Sequence, residues 1–158
     1  MKTITLVIAM AFGLMSFAGG DDTAPEKVLN AFKIKFPTAT NVEWEKENEK
    51  EWEAEFKMNG KEYSANFGAD GTWMETEYEI DVKDLPAKVK ATLDSQFKGY
   101  EIEGAERVET PTFKGYEVEI EKGETTMEVV LDESGKVLKK KIEEDEDEDE
   151  DHDHNHKH

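Results

Sequence analysis

The chain writes one pattern twice. Pro25-Glu26-Lys27-Val28 opens the first copy, and Pro86-Ala87-Lys88-Val89 opens the second 61 residues later. Glu53-Ala54-Glu55-Phe56 is echoed by Glu117-Val118-Glu119-Ile120, and Phe67-Gly68-Ala69-Asp70-Gly71 by Leu131-Asp132-Glu133-Ser134-Gly135, now at an offset of 64. A drift of three residues needs one small loop insertion. A unit of roughly 60 residues buries so little surface that it is marginal alone. Two copies sharing one sheet remove that difficulty, and a duplicated small unit more often builds a surface than a catalytic cleft.

Within each copy the apolar period changes. Val28, Leu29, Phe32 and Phe36 recur at helical spacing between Pro25 and Pro37, with Asp22 or Thr23 placed to cap the helix. After Pro37 the period becomes two. Val42 and Trp44 alternate with Glu43 and Glu45, and Trp52, Ala54, Phe56 and Met58 alternate with Glu51, Glu53, Glu55 and Lys57. Asn59-Gly60 is a two-residue hairpin signal, and Tyr63, Ala65 and Phe67 return. Ala69-Asp70-Gly71 turns into Met74, Thr76, Tyr78 and Ile80. The second copy follows the plan: Leu85, Val89, Leu93 and Phe97 mark a helix closed by Gly99, Gly104 signals a bulge, and alternating strands run to Ile142. The expected fold is a two-layer α+β domain of two tandem repeats, 24–82 and 83–142, each a helix plus four antiparallel strands.

The two ends differ from this body. Lys2 followed by the apolar run Ile4–Phe17 and the small residues Ser16 and Ala18 predicts a cleaved signal peptide over 1–18, hence a periplasmic or secreted protein. No later stretch is apolar enough to span a membrane. The chain has no cysteine, so its core must hold without disulfides. Residues 143–158 carry ten acids and four histidines, a composition that predicts disorder. In that tail His152, His154, His156 and His158, with Asp151 and Asp153, form a candidate site for weak capture of Zn, Cu or Ni. Otherwise no cofactor is expected.

Charge narrows the partners. The chain stands at −19; the tail supplies −9 and Lys2 +1, which leaves −11 on residues 19–142. Nucleic acid and anionic membrane surfaces are repelled, and a basic protein or another cationic ligand is favoured. Strand parity puts Glu43, Glu45, Glu51, Glu53, Glu55, Glu62, Glu75, Glu77, Glu79, Glu117, Glu119, Glu121 and Glu128 on one wet face, opposite the apolar core. Trp73 falls on the same parity and is the one large aromatic there, an interface anchor or else a strand-start residue packed over the turn or the repeat junction. The residues expected to bind a partner are Trp73, Glu53, Glu55, Glu75, Glu77, Glu117 and Glu119.

Trp44-Glu45-Lys46, Asn59-Gly60-Lys61-Glu62-Tyr63, the stretch from Asp70 to Glu77, and the closing hairpin from Met127 to Leu138 together resemble the PepSY-like family of exported bacterial proteins. The likeness runs over about residues 24–142. It implies a β-lactamase-inhibitor-protein-like fold of tandem helix-plus-sheet units, an envelope location, and a binding or inhibitory role. It transfers no catalytic residues.

The residues themselves argue against an enzyme. Between the signal segment and the tail there is no cysteine and no histidine, so Ser64, Ser95 and Ser134 have no imidazole beside them. No glycine-rich phosphate loop occurs. A uniform glutamate ladder lacks the contrast in environment that paired-carboxylate chemistry needs. The expected function is non-enzymatic: recognition or inhibition of a protein through the acidic sheet face. The alternative is metal or cation buffering through the tail.

Overall fold

The computed structural model describes residues 23–143. The signal segment and the six tail residues assigned to metal lie outside the described residues. In order come α1 (Glu26–Lys35), β1 (Thr40–Asn48), β2 (Glu51–Met58), β3 (Lys61–Gly68), β4 (Trp73–Glu79), a 3-10 turn (Val82–Asp84), α2 (Ala87–Gln96), β5 (Glu101–Glu109), β6 (Lys114–Lys122), β7 (Thr125–Asp132) and β8 (Val137–Glu143). The eight strands form one antiparallel sheet in the order of the chain. Glu143, assigned from composition to the tail, is the last residue of β8 and pairs with Thr126.

Thr23 does not cap α1, and Asp22 lies outside the described residues. Pro25 holds the cap position with no side-chain hydrogen bond, and Pro86 does the same for α2. Proline suits this place because its missing N–H is one that a helix start leaves unpaired anyway. Lys33 and Lys35 in the last turn of α1 complement the helix dipole.

Both helices lie against the same face of the sheet. Val28, Phe32 and Phe36 bury against Trp52, Ala54, Phe56, Ala65 and Phe67. Val89, Leu93 and Phe97 bury against Ala105, Val118, Ile120, Val129 and Leu131. The registers Tyr78↔Arg107, Arg107↔Tyr116 and Tyr116↔Leu131 carry one face across the join between the two clusters. The first core is aromatic: Phe32 meets Phe36, Trp44 and Phe56 at ring separations of 5.3, 5.3 and 5.0 Å. The second is aliphatic. Each fully buried side chain of this size contributes about 1.5–3 kcal/mol.

Two turns lock each helix to its sheet. At Gly71 φ is +89°, and a Cβ there would stand 2.8 Å from the Lys27 carbonyl oxygen of α1. At Gly135 φ is +84°, and a Cβ would stand 2.6 Å from the Lys88 carbonyl oxygen of α2. Thr92 of α2 donates to the Gly135 carbonyl at 2.7 Å. Only glycine fits a left-handed position pressed onto a helix backbone. The Asn59-Gly60 turn takes positive φ at both residues, +54° and +77°, as a tight hairpin requires. Gly104 sits at a register shift in β5, the bulge its position implies.

Candidate functional site: a buried carboxylate cluster

The sheet face turned away from the helices is acidic, but its centre is dry. Glu75 and Glu77 on β4, Glu106 on β5, Glu117 on β6 and Glu128 on β7 are all buried, and Glu117 is 0% exposed. Alternation led us to expect one wet face; here the middle of both faces is closed. Glu43, Glu45, Glu55, Glu62, Glu79 and Glu121 do reach solvent, so the expected wet ladder survives at the rim.

Three features bury the centre. Apolar partners stand across the strands, since Glu77 pairs with Val108 and Glu117 pairs with Val130. The Phe113 ring fills the space over Gly115, where a Cβ would come within 2.2 Å of it. The sheet also curls. In a flat sheet β4 and β8 would lie about 19 Å apart. Yet the Lys139 charge on β8 acts on both Glu75 and Glu117. The acidic face is therefore the inside of the curve.

Crowded carboxylates in a dry place hold on to protons. Burial, then the neighbouring charges of Glu75, Glu106 and Glu117, push Glu77 up to about 9. Burial, followed by Glu128, Glu106 and Glu75, pushes Glu117 up to about 8. Burial raises Glu106 to about 7, with Glu79, Glu128 and Glu119 adding to it. Burial also raises Glu75 to about 7, while a hydrogen bond from Glu77 opposes the rise. Both carboxyl oxygens of Glu117, and Oε1 of Glu77, are buried without a hydrogen-bond partner among the described residues. Glu128 is bridged by Lys141 at 3.7 Å.

A cleft of about 740 Å³ opens beside this cluster, near the end of the β3–β4 ladder at the Ser64↔Glu77 pair. Glu77 and Glu106 line it from the acidic face, and Tyr63 and Tyr78, whose rings lie 4.7 Å apart, line it from the helix face. Its two lysines are engaged: Lys57 binds Glu62 at 2.9 Å, and Lys61 lies 5.0 Å over the Tyr78 ring.

Of the residues expected to bind a partner, Glu75, Glu77 and Glu117 come together in the buried cluster. Glu119 is half-buried at its edge, across from Glu128. Glu53 and Glu55 stand two strands away on β2, half-buried and exposed. Burial and a hydrogen bond with Glu47 push Glu53 up to about 7, and Glu45, Glu47 and Glu53 bring carboxylate oxygens within 4.8 Å of one another. Trp73 does not share the glutamate face. A bulge between the Asn66↔Glu75 and Phe67↔Trp73 pairs turns it to the helix side. It packs there against the first core, under the Lys35 ammonium at 3.3 Å, with its indole N–H donated to the Glu75 carbonyl at 2.8 Å. Parity counted through a bulge misplaces every residue beyond it.

Sequence reading missed Glu106, because β5 is interrupted by its bulge and lacks clean alternation. It also missed Val108 and Val130, the apolar residues on the acidic face. Their parity with Glu106 and Glu128 was the available signal.

The matched family is described as "Putative beta-lactamase-inhibitor-like, PepSY-like", over residues 50–139. The chain belongs to this PepSY-like family. Among solved structures, a BLIP-like protein from Bacteroides fragilis is similar at 23% identity and a TM-score of 0.70, covering 78% of this chain and 91% of that one. A DUF2874 family protein from Bacteroides ovatus is similar at 22% identity and a TM-score of 0.69, covering 77% and 89%. A structure described as "putative periplasmic proteins" from Bacteroides eggerthii is similar at 22% identity and a TM-score of 0.68, covering 76% and 89%. At these identities the likeness is one of fold. No curated protein matches the chain.

Proposed function

We propose that this chain is an exported, non-enzymatic recognition protein that docks a cationic protein partner on the inner face of its curved sheet. The observation that carries the reading is the cluster of Glu75, Glu77, Glu106, Glu117 and Glu128, buried side by side, with both oxygens of Glu117 lacking a donor among the described residues. Such a set is costly in a fold that merely needs to be stable, and complementary to a positive partner. Family membership supports a binding role, and inhibition of an envelope enzyme is the form it takes in our reading. A periplasmic setting is supported by the description of the Bacteroides eggerthii relative and by the apolar run after Lys2. We also infer that the two helix-plus-four-strand halves arose by internal duplication, because Gly71 and Gly135 make the same contact with their respective helices.

The test is cross-linking in intact cells, followed by identification of the captured protein and measurement of its binding at rising salt. The reading expects binding that weakens steeply with salt. A partner that stays bound unchanged in high salt contradicts it.

A further inference from the structure

We propose that copies of this chain join head to tail, the open edge of β8 in one copy pairing antiparallel with the open edge of β1 in the next. Lys139 then stands across from Glu45, Lys140 from Trp44, Lys141 from Glu43 and Ile142 from Val42. The joint goes beyond the recognition reading and uses neither the cleft nor the buried glutamates. β1 and β8 are the two ends of the strand order, so each has one neighbouring strand and one open side. The direction of the backbone groups follows from the turns. Asn59-Gly60 and Gly123-Glu124 are two-residue hairpin loops, so Met58 and Lys61, and Lys122 and Thr125, bond each other through both N–H and C=O. Such bonded pairs recur at every second residue. Counted across the registers, Glu43 and Glu45 turn their backbone groups to β2, and Lys139 and Lys141 turn theirs to β7. The N–H and C=O of Val42 and Trp44 on β1, and of Lys140 and Ile142 on β8, therefore point out of the sheet, and the proposed register sets these four against one another.

The side chains match in the same register. On the acidic face the exposed Glu43 and Glu45 meet Lys141 and Lys139, opposite charges at the positions between bonded pairs, where side chains lie closest. Lys141 bridges Glu128 at 3.7 Å yet is 53% exposed, which leaves it room for a second carboxylate. On the helix face Val42 and Trp44, packed against the first core, meet Ile142, which is 56% exposed, and Lys140, whose Nζ already lies 5.8 Å from the Phe97 ring. A slip of two residues one way sets Glu143 against Glu43 and Lys140 against Lys46. A slip the other way sets Lys141 against Asn41, held at φ +51°. Pairing of like edges puts Glu43 and Glu45 of two copies together, or Lys139 and Lys141, and like charges repel. Irregularities bound the ladder: Asn41 and the shift after Glu45 end it on β1, and the shift before Lys139 ends it on β8. Four pairs fall short of the about 1,200 Å² at which stable interfaces begin, so the joint is weak and reversible. The two edges differ, so each joined copy still offers one open edge and rows can lengthen.

The test is sedimentation velocity of the mature protein from micromolar to millimolar concentration. The net negative charge of the copies opposes association, and about 0.15 M salt screens it beyond about 8 Å while sparing contacts a few Å long. We expect the sedimentation coefficient to climb with concentration. Glu43→Lys and Glu45→Lys, made together, should hold the protein at the monomer value, yet this variant keeps its β8 edge and should still join the wild type. Ile142→Pro probes the backbone. The Ile142 N–H points outward, so proline there spares the β7–β8 ladder. It should weaken association about tenfold relative to Ile142→Ala, the loss of one hydrogen bond. Carbodiimide coupling of a mixture of ordinary and heavy-nitrogen protein should link Lys139 to Glu45, or Lys141 to Glu43, between one light and one heavy chain. A protein that stays monomeric at every concentration overturns the proposal. So does association that survives the double lysine variant, which places the contact elsewhere on the molecule. Links confined to single chains overturn it in favour of a sheet that closes on itself.

Discussion

Replacing Glu117 by Gln should make this protein more stable at neutral pH. The carboxyl rises from an ordinary 4.5 to about 8 in the fold. A group raised in this way stabilises the fold fully below its unfolded value, and that contribution is lost as pH climbs toward the folded value. At about pH 7.5 the unfolded chain has shed the proton and the folded chain has kept it. Three pH units at about 1.4 kcal/mol each put the cost at up to about 4 kcal/mol. Glutamine keeps the shape, carries no charge, and offers N–H donors to the acids around it. Urea denaturation at several pH values measures the effect. We expect the variant to exceed the wild type by about 1–4 kcal/mol near pH 7.5, with the gap closing toward pH 4.5. The wild type itself should lose stability as pH rises from 5 to 8, at about 1.4 kcal/mol per pH unit for each proton retained. Equal wild-type stability across that range, or a glutamine variant weaker at every pH, would refute the account of a dry, proton-holding cluster.

Gly71→Ala and Gly135→Ala should each destabilise by about 2 kcal/mol or more in the same assay, combining left-handed strain with a clash against a helix carbonyl. Gly60→Ala, with φ of +77° but nothing near its missing Cβ, should cost only about 1 kcal/mol. Trp73→Ala should lower stability by about 2 kcal/mol in urea denaturation, the half-buried share of a core aromatic. Zinc titrated into the mature protein should bind more weakly to a version ending at Ile142, with the difference growing above the histidine pKa of about 6.5; equal uptake by both would remove the tail as a metal site.

The helices and most strand positions were legible because their signals are local. Proline openings, apolar spacing of three and four, and glycine turns act within one element. Asn59-Gly60 and Gly104 each did what their chemistry demands. The character of the acidic face was not legible, because burial there depends on curl, a property of the whole sheet. No window around Glu117 shows that Lys139 will approach it from two strands away. Trp73 failed for a smaller reason, since one extra residue in a strand reverses parity. Glu106 was hidden by the same kind of irregularity in β5.

The splice between β4 and β5 is as short as that between β3 and β4, and these are the two shortest in the sheet. β4 and β5 share four paired residues, Thr76 to Glu79 against Glu106 to Glu109, where β6 and β7 share eight. That splice runs directly beneath Glu77 and Glu106. Any opening of the curve meets the fewest ladder bonds along these two splices, so the same few amides set how far it can open.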